Sequence, residues 1–223
     1  MNTPKSREVV LNLEDVSLGA ELNVPHNALG LVIFAHGSGS SRQSPRNQFV
    51  ARVLRDVGIG TLLFDLLTED EEQADARTPF LRFDIPFLAR RLVGVTRWVL
   101  DEATTRGLIL GYFGASTGAA AALVAAAKLR ESIQAVVSRG GRPDLAGSAL
   151  EDVQAPTLLL VGAHDSEVLA LNEGAYNRLR CPKALRIIQG ATHLFEEPGT
   201  LDQVARMASE WFAEYLRSQK TES

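Results

Sequence analysis

The sequence predicts an α/β fold in which helices cover both faces of a mostly parallel sheet of about eight strands. Short, continuous apolar runs, such as residues 30–35 and 59–64, are typical of strands that are buried on both faces. These runs alternate with segments whose apolar residues recur at helical spacing, which indicates a parallel sheet wrapped by helices. The chain has 223 residues and contains no linker, internal repeat or low-complexity tract. We therefore expect one domain over residues 1–223, with residues 1–6 and 219–223 flexible.

The remaining strands are predicted from short apolar runs that end in small or polar residues. They lie at residues 7–13, 16–24, 108–113, 133–138, 156–161 and 184–188. The first two of these would be joined by a tight turn, and the second alternates in the way expected of a strand with one wet face.

The helices are predicted from capping residues, stop signals and the spacing of their apolar residues. They lie at residues 44–57, 84–106, 119–129 and 166–179, and from Thr200 through Tyr215. An acidic segment, residues 69–75, follows Asp65 and is predicted to be a solvated, mobile loop. Loops such as residues 65–82 would form the walls of a substrate pocket.

Composition excludes several classes of function. The formal net charge is −4 and no block of Lys and Arg occurs, so the electrostatic footprint of a nucleic-acid-binding protein is missing. Residues 1–8 lack the apolar core of a signal peptide, and the most apolar helix, residues 119–129, is too short to span a bilayer. The single cysteine, Cys181, excludes an internal disulfide framework and a cysteine-rich metal site. We expect a cytoplasmic protein with a small-molecule substrate, and we expect it to bind neither nucleic acid nor membranes.

The sequence is organised around residues 114–118, Gly-Ala-Ser-Thr-Gly, which follow an apolar run and precede an Ala-rich helix. A G-x-S-x-G sequence between a strand and a helix is the nucleophile elbow of serine hydrolases. Small residues, Gly114 and Gly118, are needed because the strand and the helix leave Ser116 at a tight angle. The pattern predicts Ser116 as a nucleophile in a strained backbone region; the alternative is that Ser116 is only a small residue in a tight turn.

An acid and a base for this serine lie at the ends of two later strands. Asp165 follows the strand 156–161, and His193 follows the strand 184–188, so the chain order is Ser, Asp, His, as in the α/β-hydrolase fold. His193 would accept the serine proton, and Asp165 would orient the imidazole. Asp165 could instead cap the next helix, and His193 could be an ordinary surface residue. His164 is the rival base and Asp65 the rival acid, although Asp65 is better explained by bonds to nearby backbone groups.

Two backbone N–H groups are expected to stabilise the oxyanion of the reaction. In this arrangement one follows the nucleophile and the other lies in the loop after the third strand, so the predicted donors are Thr117 and Ser38, with Gly39 as an alternative to Ser38. The positive end of the helix that starts at Thr117 adds to the stabilisation. His36, at the start of the same loop, is predicted to brace the loop by hydrogen bonds rather than to act in catalysis.

Two arginines flank Gly-Gly in the loop after strand 133–138. Arg139 and Arg142 are predicted to bind a carboxylate or phosphate of the substrate, and Arg42 is a weaker candidate. The alternative for the two arginines is that they pair with Asp144 or cap the sheet. Cys181 lies before the last strand, away from the strand ends that carry these groups, and is predicted to be structural.

Four segments together resemble the dienelactone hydrolase-like branch of the α/β-hydrolase superfamily, and the resemblance covers nearly the whole chain. They are His-Gly-Ser-Gly-Ser-Ser from His36, Gly-Ala-Ser-Thr-Gly from Gly114, Gly-Ala-His-Asp from Gly162 and Gly-Ala-Thr-His from Gly190. The resemblance implies an eight-stranded sheet with the second strand antiparallel, and it implies no metal or organic cofactor. The connection from Arg139 to Ala155 is too short to hold a cap domain.

The same resemblance implies hydrolysis of an ester or lactone through an acyl-enzyme. Dienelactone hydrolases proper use a cysteine nucleophile, whereas this chain has Ser116, so activation as a thiolate is not available to it. The sequence therefore predicts a serine hydrolase of a small acyl ester, lactone or thioester. The alternatives are a peptidase or acyltransferase that uses the same three residues, and a non-catalytic small-molecule binding protein with the same fold.

Overall fold

A computed structural model describes residues 6–216 as a single sheet with helices on both faces. The strands are β1 (Arg7–Asn12), β2 (Ser17–Asn23), β3 (Leu31–Ala35), β4 (Gly60–Phe64), β5 (Leu110–Ala115), β6 (Ile133–Arg139), β7 (Thr157–Gly162) and β8 (Lys183–Ile188). The helices are α1 (Pro45–Asp56), α2 (Glu69–Arg77), α3 (Ile85–Asp101), α4 (Thr117–Leu129), α5 (Ser166–Arg178) and α6 (Thr200–Tyr215). The expectation of flexible ends at 1–6 and 219–223 falls, apart from Ser6, outside the described residues.

The strand order is β1-β2-β4-β3-β5-β6-β7-β8. Strand β2 is antiparallel to both of its neighbours, and all other neighbouring pairs are parallel. This confirms the predicted eight-stranded, mostly parallel sheet with its second strand antiparallel. From β3 the chain moves towards one edge of the sheet and from β5 towards the other, so the loops after β3 and β5 flank the switch point at which ligands bind in such sheets.

The sheet divides the apolar core into two layers. One layer packs between the sheet and α3, α4 and α5, and the other packs between the sheet and α1 and α6. Helix α4 lies directly on the sheet because its buried face is mostly alanine, and Gly118 lets its first turn approach the β3 backbone. The first turn of α4 is therefore held firmly beside the end of β3, which positions Ser116.

One prediction of local structure is wrong. Residues 69–75, expected to be a mobile acidic loop, lie in α2. The Thr68 side chain accepts a hydrogen bond from the Glu71 N–H group, and the Glu71 carboxylate accepts one from the Thr68 N–H group. This capping box starts the helix, and carboxylates in its first turn are favoured by the helix dipole. Arg91 of α3 then binds both Glu71 carboxylate oxygens, at 2.6 and 3.0 Å, and ties α2 to the rest of the fold.

No cap domain is evident within residues 6–216. A run of 3₁₀ turns, Pro143–Asp152, connects β6 to β7, and it packs against α4 and α5. None of the helices in the described part of the chain is both long and apolar enough to cross a membrane.

Candidate active site

Ser116 lies between β5 and α4 in a backbone conformation that residues other than glycine rarely adopt. Its φ and ψ are 51° and −124°, and a conformation of this kind costs about 1–3 kcal/mol. Its carbonyl oxygen accepts hydrogen bonds from the N–H groups of Ala119 and Arg142, both at 3.1 Å, which help to hold the strained residue. Gly37 packs against Ser116, since a Cβ atom at Gly37 would come within 2.8 Å of the Ser116 Cβ. The half-buried serine therefore has the local geometry that its motif predicts.

His193 and Asp165 are brought together by the loops after β8 and β7. His193 Nδ1 lies 2.6 Å from Asp165 Oδ2, and the side chains are 41% and 15% exposed. The two loops touch through backbone: the His164 N–H group donates to the Ala191 carbonyl at 2.9 Å. Gly162 is needed there because a Cβ atom at that position would approach the Ala191 oxygen to 2.5 Å. The carboxylate thus binds one ring nitrogen of a histidine that remains accessible.

The rival acid and base have other surroundings. His164 is exposed. Asp65 accepts a hydrogen bond from the Arg42 N–H group at 2.7 Å and forms an ion pair with the Arg42 guanidinium. Asp65 therefore bonds a nearby backbone group, as expected, and it also neutralises the weakest of the predicted substrate-binding arginines.

His36 is buried and both of its ring nitrogens are hydrogen-bonded to backbone. Nε2 accepts from the Leu66 N–H group at 2.9 Å, so Nδ1 carries the proton and donates to the Gly37 carbonyl, also at 2.9 Å. Burial lowers the pKa of His36, although the Gly37 carbonyl and the charge of Asp65 oppose the shift. A neutral ring held on both sides matches the predicted bracing role of His36.

The two predicted oxyanion donors are neighbours in the structure. The hydroxyl groups of Ser38 and Thr117 lie 3.0 Å apart and share a hydrogen bond, which joins the loop after β3 to the first turn of α4. Thr117 is the first residue of α4, so the partial positive charge of the helix N-terminus lies at the same place. The role of their N–H groups in stabilising an oxyanion stays a prediction.

A pocket of about 360 Å³ opens beside Thr117 and the loop after β3. Its apolar lining comes from Leu66, Leu67 and Leu88, and its charged lining comes from Glu72, Asp75 and Arg82. The volume falls within the range of small-molecule sites. The pocket adjoins Ser116 through Thr117, its neighbour in sequence.

One wall of this pocket consists of α2 and the turn that follows it. Asp75 is buried, accepts hydrogen bonds from the N–H groups of Phe80 and Leu81 at 2.6 Å, and pairs with the Arg82 guanidinium. Burial alone would raise the pKa of Asp75, but these partners hold it below its ordinary value. The Ser38 hydroxyl donates to the Arg82 carbonyl at 3.3 Å, which joins the wall to the loop after β3.

The sequence predicted residues 65–82 as a wall of the pocket, but it singled out none of their side chains because α2 was expected to be a loop. The signal was present: threonine followed three residues later by glutamate is the sequence signature of a capping box. The pairing of Asp75 with Arg82 is also local, but the burial that makes it important is visible only in the fold.

The two predicted substrate-binding arginines have different surroundings. The Arg142 guanidinium binds both carboxylate oxygens of Asp144 at 2.9 Å, which is the alternative considered for it. Arg139 is buried, and its Nη2 lies 3.5 Å from Asn47 Oδ1 on the α1 side of the sheet. Contact of either arginine with a substrate stays a prediction.

Cys181 lies before β8, at the end of that strand opposite His193. Its thiol is buried, 3.7 Å from the Thr157 hydroxyl, and burial raises its pKa. The location and the high pKa agree with a structural role. Within residues 6–216 no three His, Cys, Asp or Glu side chains are grouped so that they could hold a metal ion.

A dienelactone hydrolase of known structure from Anabaena variabilis is similar to this chain over nearly its full length. The two are 57% identical, the match covers 97% of this chain and 100% of the other, and the structures superpose with a TM-score of 0.95. The chain belongs to the dienelactone hydrolase family. This confirms the predicted family and the α/β-hydrolase fold. The use of serine in place of cysteine as nucleophile stays a prediction.

Two further solved structures share the fold at much lower sequence identity. Est1E from Butyrivibrio proteoclasticus is 16% identical, with a TM-score of 0.77 and coverage of 93% of this chain and 98% of the other. An esterase from Pyrococcus furiosus is 16% identical with a TM-score of 0.74, covering 95% of this chain and 92% of the other. At this level of identity the likeness concerns the fold alone.

The curated relatives of this dienelactone hydrolase family member are longer than the chain itself. A Mycobacterium tuberculosis protein, found in two strains and provisionally named a phosphoribosyl transferase, is 53% identical over 212 residues. The match covers 95% of this chain and 47% of the relative, so the chain spans about half the length of the curated relatives it matches. No protein-family model matches the chain.

Proposed function

We propose that this protein is a serine hydrolase that cleaves a small acyl ester, lactone or thioester through an acyl-enzyme. Ser116 is the nucleophile, His193 is the base and Asp165 is the acid that orients it. The observation that carries the proposal is the 2.6 Å contact between His193 Nδ1 and Asp165 Oδ2, at the edge of the sheet from which the strained Ser116 projects. A serine hydroxyl is a weak nucleophile, and a base held in a fixed orientation by a carboxylate can activate it by taking its proton.

The reaction would proceed in two steps. His193 Nε2 takes the hydroxyl proton of Ser116 while the serine oxygen attacks the acyl carbon, and the N–H groups of Ser38 and Thr117 stabilise the oxyanion. The protonated imidazole, stabilised by Asp165, gives its proton to the leaving group, and an ester of Ser116 remains. In the second step His193 takes a proton from water as the water oxygen attacks this ester, and it gives that proton to the Ser116 oxygen as the acid is released.

The surroundings of the site favour a small substrate and water as the acceptor. The adjoining pocket is lined by three leucines and by the Asp75–Arg82 pair, whose charges cancel, and it carries one further carboxylate, Glu72. An uncharged acyl group suits this lining better than an anionic one. The His193 side chain is 41% exposed, so water reaches the base without displacing protein, which favours hydrolysis over acyl transfer to a bound acceptor.

The name of the Mycobacterium tuberculosis relatives describes proteins about twice as long as this chain. About half of their length has no counterpart here, and we do not carry phosphoribosyl transfer over to this protein. The binding of a substrate carboxylate by both Arg139 and Arg142 is also weakened as a proposal, because Asp144 already occupies the Nε–Nη2 edge of the Arg142 guanidinium.

Labelling with a fluorophosphonate tests the proposal. The wild-type protein should be labelled on Ser116 and should hydrolyse p-nitrophenyl acetate. Ser116→Ala should lose the labelling and about 10⁵-fold or more in kcat, because no other nucleophile is oriented by His193. Ser148→Ala, a matched change at an exposed serine, should retain both. Full labelling and turnover in Ser116→Ala would exclude a serine nucleophile at this position.

A further inference from the structure

Arg139 is a buried cation that has no carboxylate partner among the described residues. The residue is 8% exposed, and its guanidinium carbon lies 6.0 Å from the centre of the Phe195 ring. Within residues 6–216 its guanidinium makes one hydrogen bond, from Nη2 to Asn47 Oδ1, which is long at 3.5 Å. The buried atoms Nε and Nη1 have no hydrogen-bond partner in the described structure. A buried charge without a counter-charge is strongly unfavourable, so this arrangement favours the binding of an anion.

A second arginine adds positive charge at the same place. Burial lowers the pKa of Arg139 to about 10, with repulsion by Arg46 as the second cause, so the Arg139 guanidinium remains charged at neutral pH. One carboxylate, Glu196, binds Arg46 at 2.9 Å, but it is mostly exposed, and the buried Arg46 Nε has no partner among residues 6–216. The two cations therefore exceed the nearby negative charge.

The N-terminus of α1 faces this region and increases its positive potential. Helix α1 has 12 residues and is capped by Ser44, with Arg46 and Asn47 in its first turn. Helix N-termini carry about half a positive charge and are favourable sites for anions. The buried, unpartnered guanidinium of Arg139 is an independent feature that lies against this first turn.

The region lies directly behind the proposed catalytic groups. Arg139 pairs with Ala115, the residue before Ser116, across β5 and β6. Its neighbour Gly140 packs against the His193 loop, since a Cβ atom at Gly140 would come within 3.1 Å of the His193 carbonyl oxygen. Phe195, which contacts the Arg139 guanidinium, belongs to that same loop.

We propose that Arg139, together with Arg46 and the N-terminus of α1, forms a binding site for one small anion. The ligand is a halide, a carboxylate or a phosphate, and its charge compensates the buried guanidinium. This ligand is either a free inorganic anion or the carboxylate group of a substrate. The pocket beside Thr117 is a separate compartment with an excess of carboxylates, so an anionic group is better accommodated behind the His193 loop.

Thermal unfolding at constant ionic strength tests the site. Sodium phosphate or sodium chloride should raise the Tm of the wild-type protein saturably by about 2–4 °C relative to a bulky sulfonate salt, because the anion binds only the folded state. Arg139→Met should remove this dependence, and Arg206→Met, a matched change at an exposed arginine of α6, should retain it. An equal anion effect in Arg139→Met, or none in the wild type, would overturn the proposal.

A second variant tests the site while keeping the arginine. Asn47→Asp should place a carboxylate beside Arg139, raise the Tm without added anion and abolish the response to phosphate. Calorimetric titration of the wild-type protein with phosphate should give one saturable site that is missing from Asn47→Asp. If Asn47→Asp kept the full phosphate response, the proposed location would be wrong.

Steady-state kinetics distinguish the two sources of the anion. If a substrate carboxylate occupies the site, phosphate should raise the KM of mono-p-nitrophenyl succinate about tenfold and leave that of p-nitrophenyl butyrate unchanged. If free anion occupies it, phosphate should affect both esters alike. If the protein hydrolyses p-nitrophenyl butyrate in a Ser116-dependent way but binds no anion, the proposed anion site is wrong. The proposed hydrolase function would then still stand.

Discussion

The loops after β3 and β8 each carry a histidine near the carboxyl ends of the parallel strands, yet the surroundings of the two histidines differ. In the first, His36 is buried and both ring nitrogens are used by backbone partners, the Gly37 carbonyl and the Leu66 N–H group. In the second, His193 binds Asp165 through Nδ1, and its side chain is 41% exposed. The first ring has no nitrogen left for proton exchange, whereas the second has one.

This difference separates a structural histidine from a candidate base better than position in the sequence does. Both residues follow a strand and begin or end a Gly-rich segment. A general base must reach the proton that it takes and must return to its starting state, so one nitrogen has to face the substrate. His36 instead holds the loop that carries Ser38. The comparison predicts that the two histidines respond to substitution in opposite ways.

The largest effect is expected for His193. His193→Ala should lower kcat by about 10⁴–10⁶-fold, because the base that activates Ser116 is lost, while the Tm should change little at this half-exposed position. Activity is measured with p-nitrophenyl acetate and stability by thermal unfolding. His164→Ala, at the adjacent exposed position in the Asp165 loop, is the matched control and should retain wild-type turnover. Loss of activity in His164→Ala with retention in His193→Ala would reverse the assignment of the base.

His36 should affect stability more than chemistry. His36→Phe keeps a planar ring but leaves the Leu66 N–H group and the Gly37 carbonyl without partners, at a cost of about 2–4 kcal/mol in the free energy of unfolding. The Tm should then fall by roughly 5–12 °C. We expect kcat to fall by less than about tenfold, since His36 positions the Ser38 loop and transfers no proton. Exposed His26→Phe should change neither quantity. A loss of kcat in His36→Phe as large as that in His193→Ala would mean that His36 takes part in catalysis.

The smallest effect is the dependence of stability on pH. Burial lowers the pKa of His36 below its ordinary value of 6.5, so the native state keeps the ring neutral while the unfolded chain takes up a proton. This stabilisation is complete above pH 6.5 and is lost as the pH falls from there towards the folded-state pKa, by up to about 1.4 kcal/mol per pH unit. Urea unfolding between pH 7.5 and 5 should therefore show a steeper loss in the wild type than in His36→Phe. Equal slopes would contradict a buried neutral ring.

Much of the fold and of the candidate site could be predicted from sequence because their signals are local. An apolar run indicates a buried strand, and the chain order of strand ends indicates which side chains share an edge of a parallel sheet. Ser116, Asp165 and His193 were predicted from such signals, and the structure brings Asp165 and His193 within hydrogen-bond distance. The predicted loop at residues 69–75 was wrong because dense charge was taken as a sign of solvation. The charges there are partly neutralised by Arg91 and Arg82, which the chain supplies from outside the segment.

The sequence by itself determined the α/β architecture, the tight turn at Ser116 and the order of the candidate catalytic groups. These features depend on periodicity, small residues and chain order, which each segment carries on its own. Only the tertiary structure decided the partners of charged side chains from distant parts of the chain: Asp65 with Arg42, Glu71 with Arg91, and Arg139 buried beside Asn47 without a carboxylate among residues 6–216. Ion pairs and burial depend on which helices and strands pack together. The position of an arginine in the sequence therefore does not show whether a carboxylate will pair with it.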